Sequence, residues 1–411
     1  MLHHHPDKNY LHKDVDLLNS DLYRSMRKPF GKANLLPDLA YVSKNFSELE
    51  DEKLWTRGWI AVGCQAQIPN PNDLLPFTVG NHGIHVQRND DGSLSARFNK
   101  AQHGGCRAIP LQCQTGKKTR CSFTSCGYSR DRDVISADEL NNDTRAMQQY
   151  IGLIPERLLL VNVDTWGPFI FVNLDSECTA LKETFDDWDN HFMTNFETAS
   201  TSISEKRNEY ACNWKHAGRS LFTDYPISIN QIKEKNTFSA LTETSANLYT
   251  WSIALKDAEA LNFALPTGLT RIPGMLQGTD DKVFFCWAFP NILICFMPTH
   301  LVAVILQPVG MGVSEQRMFV LMHEDGANST TVAERLCDDW ANYFRYKSLD
   351  AEHLQLQMDA ASSVSPGITN HSNKLFEEHY AAYLFQQYLL NKILHKHKYA
   401  VNSPIYMHVN P

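Results

Sequence analysis

Four cysteines and one histidine are the residues of this chain best suited to binding a metal. Cys106, Cys113, Cys121 and Cys126 fall in one short segment, and His103 lies just before the first of them. Thiolates and imidazoles bind zinc or iron–sulfur clusters, and in a reducing compartment such a group favours metal over disulfides. The segment is therefore the first candidate metal site.

The spacing inside this segment leaves three interpretations open. His103 with Cys106, and Cys121 with Cys126, form two short pairs like those that hold structural zinc, with Cys113 as a spare ligand. The segment could instead be a relic loop packed by its thiols or closed by an incidental disulfide. The third interpretation is a rebuilt iron–sulfur site.

Composition excludes several other classes of function. The chain has 411 residues, of which 43% are hydrophobic and 20% charged, and its formal net charge is −8. This is typical of a soluble globular protein of two or three domains, and it argues against a nucleic-acid partner, which requires clustered Lys and Arg. No apolar run approaches the roughly 20 residues of a membrane-spanning helix. The polar start with His3, His4 and His5 does not resemble a signal peptide, so the expectation is a cytoplasmic protein without a membrane partner.

The hydrophobic patterns predict a mixed α+β chain. An amphipathic helix is predicted over residues 45–59, with Ser47 and Glu50 as a capping box. Residues 84–88 and 94–98, joined by the turn 89–92, read as a hairpin. Further strands are predicted at 158–164, 167–174, 248–255, 283–288, 292–297, 301–308 and 316–323. Helices are predicted at 180–192, 331–358 and 374–395.

Several segments, in this order along the chain, resemble the large (alpha) subunit of Rieske-type non-haem iron oxygenases, including their choline, betaine and carnitine oxygenase relatives. The resemblance runs from about Leu36 to Leu390. The segments that carry it are Leu54–Gly63, Arg88–Asn99, Trp166–Leu174, Asn213-Trp214-Lys215, Phe289-Pro290-Asn291 and Ser372–Leu390.

This resemblance implies an N-terminal extension over 1–35, a Rieske-like antiparallel β domain over 36–175 and a helix-grip domain over 176–411. It also implies a two-iron, two-sulfur cluster, a mononuclear iron and a trimeric assembly. In such a trimer, electrons pass from one subunit's cluster to its neighbour's iron.

The family's cluster ligands are a Cys-x-His pair and a Cys-x-x-His pair, giving two thiolates and two imidazoles. The first pair matches Ala101 and His103 here, and the second matches Cys121 and Thr124. One donor remains for each iron, so the sequence predicts that the cluster is absent.

The family's catalytic iron is held by two histidines and one carboxylate. With Trp214 and Tyr225 setting the register, the histidine positions are Pro226 and Gln231. The carboxylate position falls on Leu349, with Asp350 one residue away, and the acidic residue that links the two metal sites aligns with Thr223. An iron site relocated to His216 and Asp224 is a less favoured interpretation than a surface histidine and a solvated aspartate. The sequence therefore predicts that this iron is absent too.

Three functions follow as hypotheses. The first is a non-catalytic subunit that joins an active oxygenase in a homo- or hetero-trimer or hexamer. The second is a small-molecule-binding helix-grip module, and the third is an oxidoreductase with a rebuilt metal site. The residues predicted to line the cavity of the second are Trp251, Phe285, Trp287, Phe296 and Met297, although each is also an ordinary core residue type.

Overall fold

The chain folds into two compact units. The computed structural model describes residues 10–12, 14–98, 119–120, 127–128, 160–185, 202–221, 248–254, 271–272, 282–322, 330–364 and 380–395. One unit is built on Trp55–Leu181, and the other combines Pro6–Leu54 with Lys182–His397. The residues from Pro6 to Leu54 thus group with the second unit.

The first unit contains a six-stranded antiparallel sheet in the order β3-β10-β9-β6-β5-β4. Both β3 and β10 are buried along their whole length, and every residue of β10 except Asn173 is apolar. The predicted hairpin of β5 and β6 and the predicted pair β9 and β10 are confirmed. Its strands are β3 (Ile60–Cys64), β4 (Leu74–Val79), β5 (His82–Arg88), β6 (Leu94–Phe98), β9 (Leu160–Trp166) and β10 (Phe169–Asn173), and a short pair is formed by β7 (Thr119–Arg120) and β8 (Gly127–Tyr128).

The second unit contains another six-stranded antiparallel sheet, in the order β11-β16-β15-β14-β13-β12. The four strands from β13 to β16 follow one another through tight connections, and the sequence predicted each of these strands. Its strands are β11 (Ser202–Tyr210), β12 (Leu248–Ala254), β13 (Lys282–Ala288), β14 (Ile292–Phe296), β15 (His300–Gly310) and β16 (Val313–Met322). A small pair, β1 (Leu11–His12) and β2 (Val15–Asp16), lies near the start of this unit.

The helices of the second unit vary greatly in length. They are α1 (Leu39–Val42), α2 (Lys44–Glu50), α4 (Trp214–Ser220), α5 (Thr330–Val364) and α6 (Tyr380–Leu394), with α3 (Leu181–Thr184) at the boundary between the units. α5 packs on the sheet through Trp340, whose Nε1 donates a hydrogen bond to Nε2 of His300 on β15 at 3.1 Å. No helix in these described ranges is both long and apolar enough to cross a membrane.

The predicted helix over 45–59 is wrong in two details. α2 begins after Ser43, whose hydroxyl accepts a hydrogen bond from the backbone N–H of Phe46 at 3.3 Å, so Ser43 and not Ser47 is the N-cap. α2 ends at Glu50, and Asp51–Trp55 continue as a π-helical turn. An N-cap serine has an extended backbone of its own, as Ser43 does, and periodicity alone does not reveal that.

Candidate functional site

The start of α4 is the best-defined polar site in the second unit. Asn213 caps this helix, because its Oδ1 accepts a hydrogen bond from the backbone N–H of Lys215 at 3.1 Å. Its Nδ2 donates to the carbonyl oxygens of Tyr41 and Met311 at 3.2 and 2.7 Å. Its own N–H donates to Oε1 of Gln355 on α5 at 3.0 Å. One residue therefore joins α1, α4, α5 and the turn between β15 and β16.

Lys215 forms a buried ion pair with Glu50 of α2. Its Nζ lies 2.8 Å from Oε1 of Glu50, and about 5.4 Å from the ring centres of Tyr41 and Phe46. Burial lowers the pKa of Lys215 and raises the pKa of Glu50, whereas the opposite charge of each partner favours the ionised form of the other. Because neither group reaches water, the pair fixes α2 against α4 and is not placed to act on a ligand in solvent.

His216 is buried beside this pair. Its ring stacks on Tyr41 with 3.9 Å between ring centres and 9° between planes. Neither ring nitrogen has a hydrogen-bond partner among the residues the structure describes. Burial, followed by the charges of Arg219 and Lys215, lowers the pKa of His216 to about 3. His216 is therefore a buried neutral side chain, and the prediction that placed it at the surface is wrong.

Aromatic packing fills the space between α4, α6 and the sheet. The ring of Phe385 on α6 meets the rings of Trp214, Trp287 and Phe289 edge to face, at 5.6, 5.7 and 5.9 Å between centres. Gly218 gives this cluster room, because a Cβ there would stand 3.0 Å from Cζ of Phe385. The space between α4, α6 and the sheet is therefore filled with packed side chains.

The predicted cavity residues do not share one surface. Phe285 and Trp287 point to the same side of the sheet, and the strand register places Trp251 opposite Phe285. Phe296 pairs with Phe284 and Leu301, so it lies on the other face. Met297 follows the end of β14, and Phe285, Trp287, Phe296 and Met297 are all buried.

The first unit has a groove that the sequence did not predict. Among the described residues, β6 pairs with β9 at Ala96 with Val161 and at Arg97 with Leu160. Beside these pairs lies a cavity of about 470 Å³ lined by residues that include Phe98, Leu160 and Leu174. A strand pattern predicts which residues are inward-facing, but it does not reveal a groove of this kind.

Most of the predicted metal-site residues lie outside the described residues. These are Ala101, His103, Cys106, Cys113, Cys121, Thr124, Cys126, Thr223, Asp224, Pro226 and Gln231. Leu349 and Asp350 are described, and both are exposed on α5. Within the part of the chain that the structure describes, no group of three or more His, Cys, Asp or Glu side chains could hold a metal ion.

The motif residues that can be placed have structural roles. In the first unit, Nη1 of Arg57 lies 3.2 Å from Oδ2 of Asp175, and Nη1 of Arg88 donates to the carbonyl of Gly92 at 2.8 Å. In the second unit, Nδ2 of Asn291 donates to the carbonyl of Leu306 at 3.1 Å, after a cis Phe289–Pro290 peptide bond. These contacts hold the two sheets in shape.

Comparison with known proteins identifies the relationship. Choline monooxygenase of Spinacia oleracea is 23% identical over 286 residues, which is 68% of this chain and 61% of that protein. The alpha subunit of benzene 1,2-dioxygenase from Pseudomonas putida is 24% identical over 190 residues, or 45% of this chain and 41% of that subunit. This chain is a homologue of Rieske oxygenase alpha subunits. The match thus spans less than two thirds of the length of these relatives.

The fold agrees with this relationship. The crystal structure of a quaternary ammonium Rieske monooxygenase, CntA, matches with a TM-score of 0.57 and 16% identity, over 88% of this chain and 95% of that one. No family model matches the chain. The Rieske oxygenase fold is therefore present although sequence identity is low.

Proposed function

We propose that this chain is a non-catalytic relative of the Rieske oxygenase alpha subunit that serves as an assembly partner of an active oxygenase. The observation that carries the proposal is the set of residues at the matched ligand positions. Ala101, Thr124, Pro226, Gln231 and Leu349 stand where the family has its cysteine, histidines and aspartate. Ala, Pro and Leu have no donor atom, and Thr and Gln are poor ligands for iron.

The residues do not fit the cluster that the family implies. A Rieske centre needs two thiolates on one iron and two neutral imidazoles on the other. The matched positions offer the thiolate of Cys121 and the imidazole of His103. One donor for each iron is too few, so no electron-transfer step through this unit is part of the proposal. Structural zinc on His103, Cys106, Cys121 and Cys126 is compatible with it.

The residues do not fit the mononuclear iron either. Pro226 and Gln231 replace the two imidazoles. Asp350 is the nearest carboxylate to the third position, and like Leu349 it is exposed on α5. A single exposed carboxylate binds ferrous iron weakly, because affinity requires several donors converging on the ion.

The frame around these positions supports an assembly role. Asn213 and the Glu50–Lys215 pair fix the helix that begins the family's iron motif, although the ligands that follow are replaced. We infer that the first domain is Rieske-like and that the second is of the helix-grip type. We also infer that the subunits assemble into a trimer or hexamer. A structure of CntA, with a TM-score of 0.55, is described in terms of inter-subunit electron transfer, so contacts between subunits matter in that relative.

A binding module is the second candidate. Phe285 and Trp287 lie on one side of the sheet, as the lining of a helix-grip cavity would, and Trp251 pairs with Phe285 in the strand register. The contact of Trp287 with Phe385 favours a filled interior at that position. A thermal-shift screen with quaternary amines and aromatic acids would support this candidate if one of them raised the melting temperature.

Metal analysis tests the proposal. The chain should be produced with iron–sulfur cluster assembly induced, purified without oxygen, and measured for iron, zinc, acid-labile sulfide and visible absorption. Spinach choline monooxygenase prepared in parallel is the positive control. We expect substoichiometric iron and no cluster absorption. Stoichiometric iron with sulfide would overturn the proposal.

Co-purification tests the assembly role. A tagged chain, expressed with an iron-bearing alpha subunit from the same genome, should elute with it as a complex of defined mass by native mass spectrometry. Complete separation of the two chains, each in its own homo-oligomer, would contradict that role.

A further inference from the structure

The long helix α5 carries a second apolar stripe that faces solvent. Tyr346, Leu349 and Leu356 are 75%, 49% and 64% exposed, and His353 between them is also exposed. The opposite side of the helix is buried through Trp340, Phe344, Lys347, Ser348, Ala351 and Gln355. Helix α5 therefore has one apolar face against the sheet and another without cover from the described residues.

The spacing of the exposed stripe is that of a coiled-coil seam. Positions 346, 349, 353 and 356 are separated by three, four and three residues. Two helices pair side by side when apolar residues alternate at intervals of three and four, because these residues then interlock along the contact. Exposed clusters of this kind mark interaction sites, whereas single exposed apolar residues do not.

We propose that the stripe formed by Tyr346, Leu349, His353 and Leu356 is the surface through which two copies of this chain pair, helix against helix. The inference is independent of the proposed function, since two copies can pair whether or not the chain binds iron.

Flanking charges favour an identical partner in parallel orientation. Arg345 precedes Tyr346 and Asp350 follows Leu349, so the two lie on opposite flanks of the stripe. In a parallel pair, these flanking positions bring Arg345 of each copy towards Asp350 of the other. Arg345 also bonds Glu352 of its own helix, at 2.8 and 3.3 Å, but its side chain remains 44% exposed. An antiparallel pair would instead bring the two Asp350 carboxylates together.

The size of the stripe sets the expected strength. Residues 346 to 356 span roughly 16 Å of helix at about 1.5 Å per residue. A standard stable interface buries roughly 800 Å² on each partner, more than a strip of this length offers. We therefore expect pairing that depends on concentration.

Sedimentation of the full chain over a range of concentrations tests the proposal. Leu349→Glu and Leu356→Glu should each raise the dissociation constant by about a hundredfold, because every pair loses two buried leucines and gains two desolvated carboxylates. At a concentration where the wild type is paired, the sedimenting mass of each variant should be half that of the wild type. The change would be from dimer to monomer or from hexamer to trimer. Thr331→Glu, at an exposed position on the same helix outside the stripe, is the matched control. A mass unchanged by both leucine variants would overturn the proposal.

A charge exchange tests the orientation and the identity of the partner. Arg345→Glu and Asp350→Arg should each weaken pairing, and the double variant should restore it. Helical circular dichroism of each variant checks that α5 still folds. Failure of the double variant to recover would rule out parallel self-pairing. A wild-type chain that stays unpaired at every concentration would also rule it out. The stripe would then be covered by another protein or by another part of the chain.

Discussion

The Nζ of Lys215 and Oε1 of Glu50 are 2.8 Å apart, and both side chains are buried. A buried pair of this kind contributes little over two apolar residues, but removing one partner leaves a charge without compensation. Lys215→Met should therefore lower the free energy of unfolding by about 3–5 kcal/mol. Urea denaturation measures this loss.

The double variant Glu50→Leu/Lys215→Met should recover most of that stability. Lys44→Met is the matched control, because Lys44 and Glu48 form an exposed pair at 3.8 Å on α2 that should matter little. Equal losses in the single and double variants would show that packing, and not charge, accounts for the effect.

His216 should make the fold sensitive to acid. The unfolded chain takes up a proton near the ordinary histidine pKa of 6.5, whereas burial holds the folded pKa at about 3. The contribution of His216 to the free energy of unfolding is complete above the unfolded pKa and is lost as pH falls towards the folded pKa. About 2 kcal/mol of it is lost between neutral pH and about pH 5.

The variant His216→Phe keeps a ring to stack on Tyr41 and removes the titrating nitrogens. Urea denaturation at neutral and acidic pH should show a smaller acid loss than in the wild type. Some loss should remain, because burial also lowers the pKa of His85 and His300 to about 3. Identical pH profiles for variant and wild type would argue against this account.

Gly218→Ala should destabilise the second unit although alanine is the better helix former. The added Cβ would stand 3.0 Å from Cζ of Phe385 and 3.3 Å from Cδ1 of Leu306. Phe385 is held among other rings and has little freedom to move, so the strain should exceed the roughly 1 kcal/mol gained in helix propensity. Thermal melting would show a lower midpoint. Gly218→Ala should cost less when combined with Phe385→Leu, and equal costs in both backgrounds would show that the clash is not the cause.

Adding the two donors that the proposed ligand match lacks should create a cluster site. In the double variant Ala101→Cys/Thr124→His, the matched positions offer two thiolates and two imidazoles, as a Rieske centre requires. Cluster absorption and the electron paramagnetic resonance signal after reduction are the readouts. Ala101→Cys alone is the control, with three donors. A double variant that stays colourless would mean that the matched register is wrong.

The sequence predicted the sheets where apolar runs are bounded by turns. β13 to β16 are such runs, and most of their apolar residues are buried. β11 was missed because Ser202–Tyr210 carries four charged residues and does not read as a strand. Its pairing with β16 brings Arg207 opposite Arg317, and the buried Arg317 bonds Gln307 at 2.8 Å. A partner strand far away in the chain thus determined its structure.

The candidate site was predicted unevenly. The order of motifs correctly identified the oxygenase relationship, because those motifs hold the fold. The ion pair of Glu50 with Lys215 could not be predicted, since the two residues are far apart in sequence. The stripe on α5 was also missed, because Tyr346, Leu349 and Leu356 have the spacing of core residues and sequence does not distinguish two apolar faces of one helix.

The side chain and backbone N–H of Asn213 join four segments through hydrogen bonds alone. This joint is held without a bound ion, unlike the core of a small zinc domain that is unfolded without its metal. Mutations that remove a ligand from such a scaffold carry no folding penalty at this joint, so catalysis can be lost in evolution while a well-formed subunit persists.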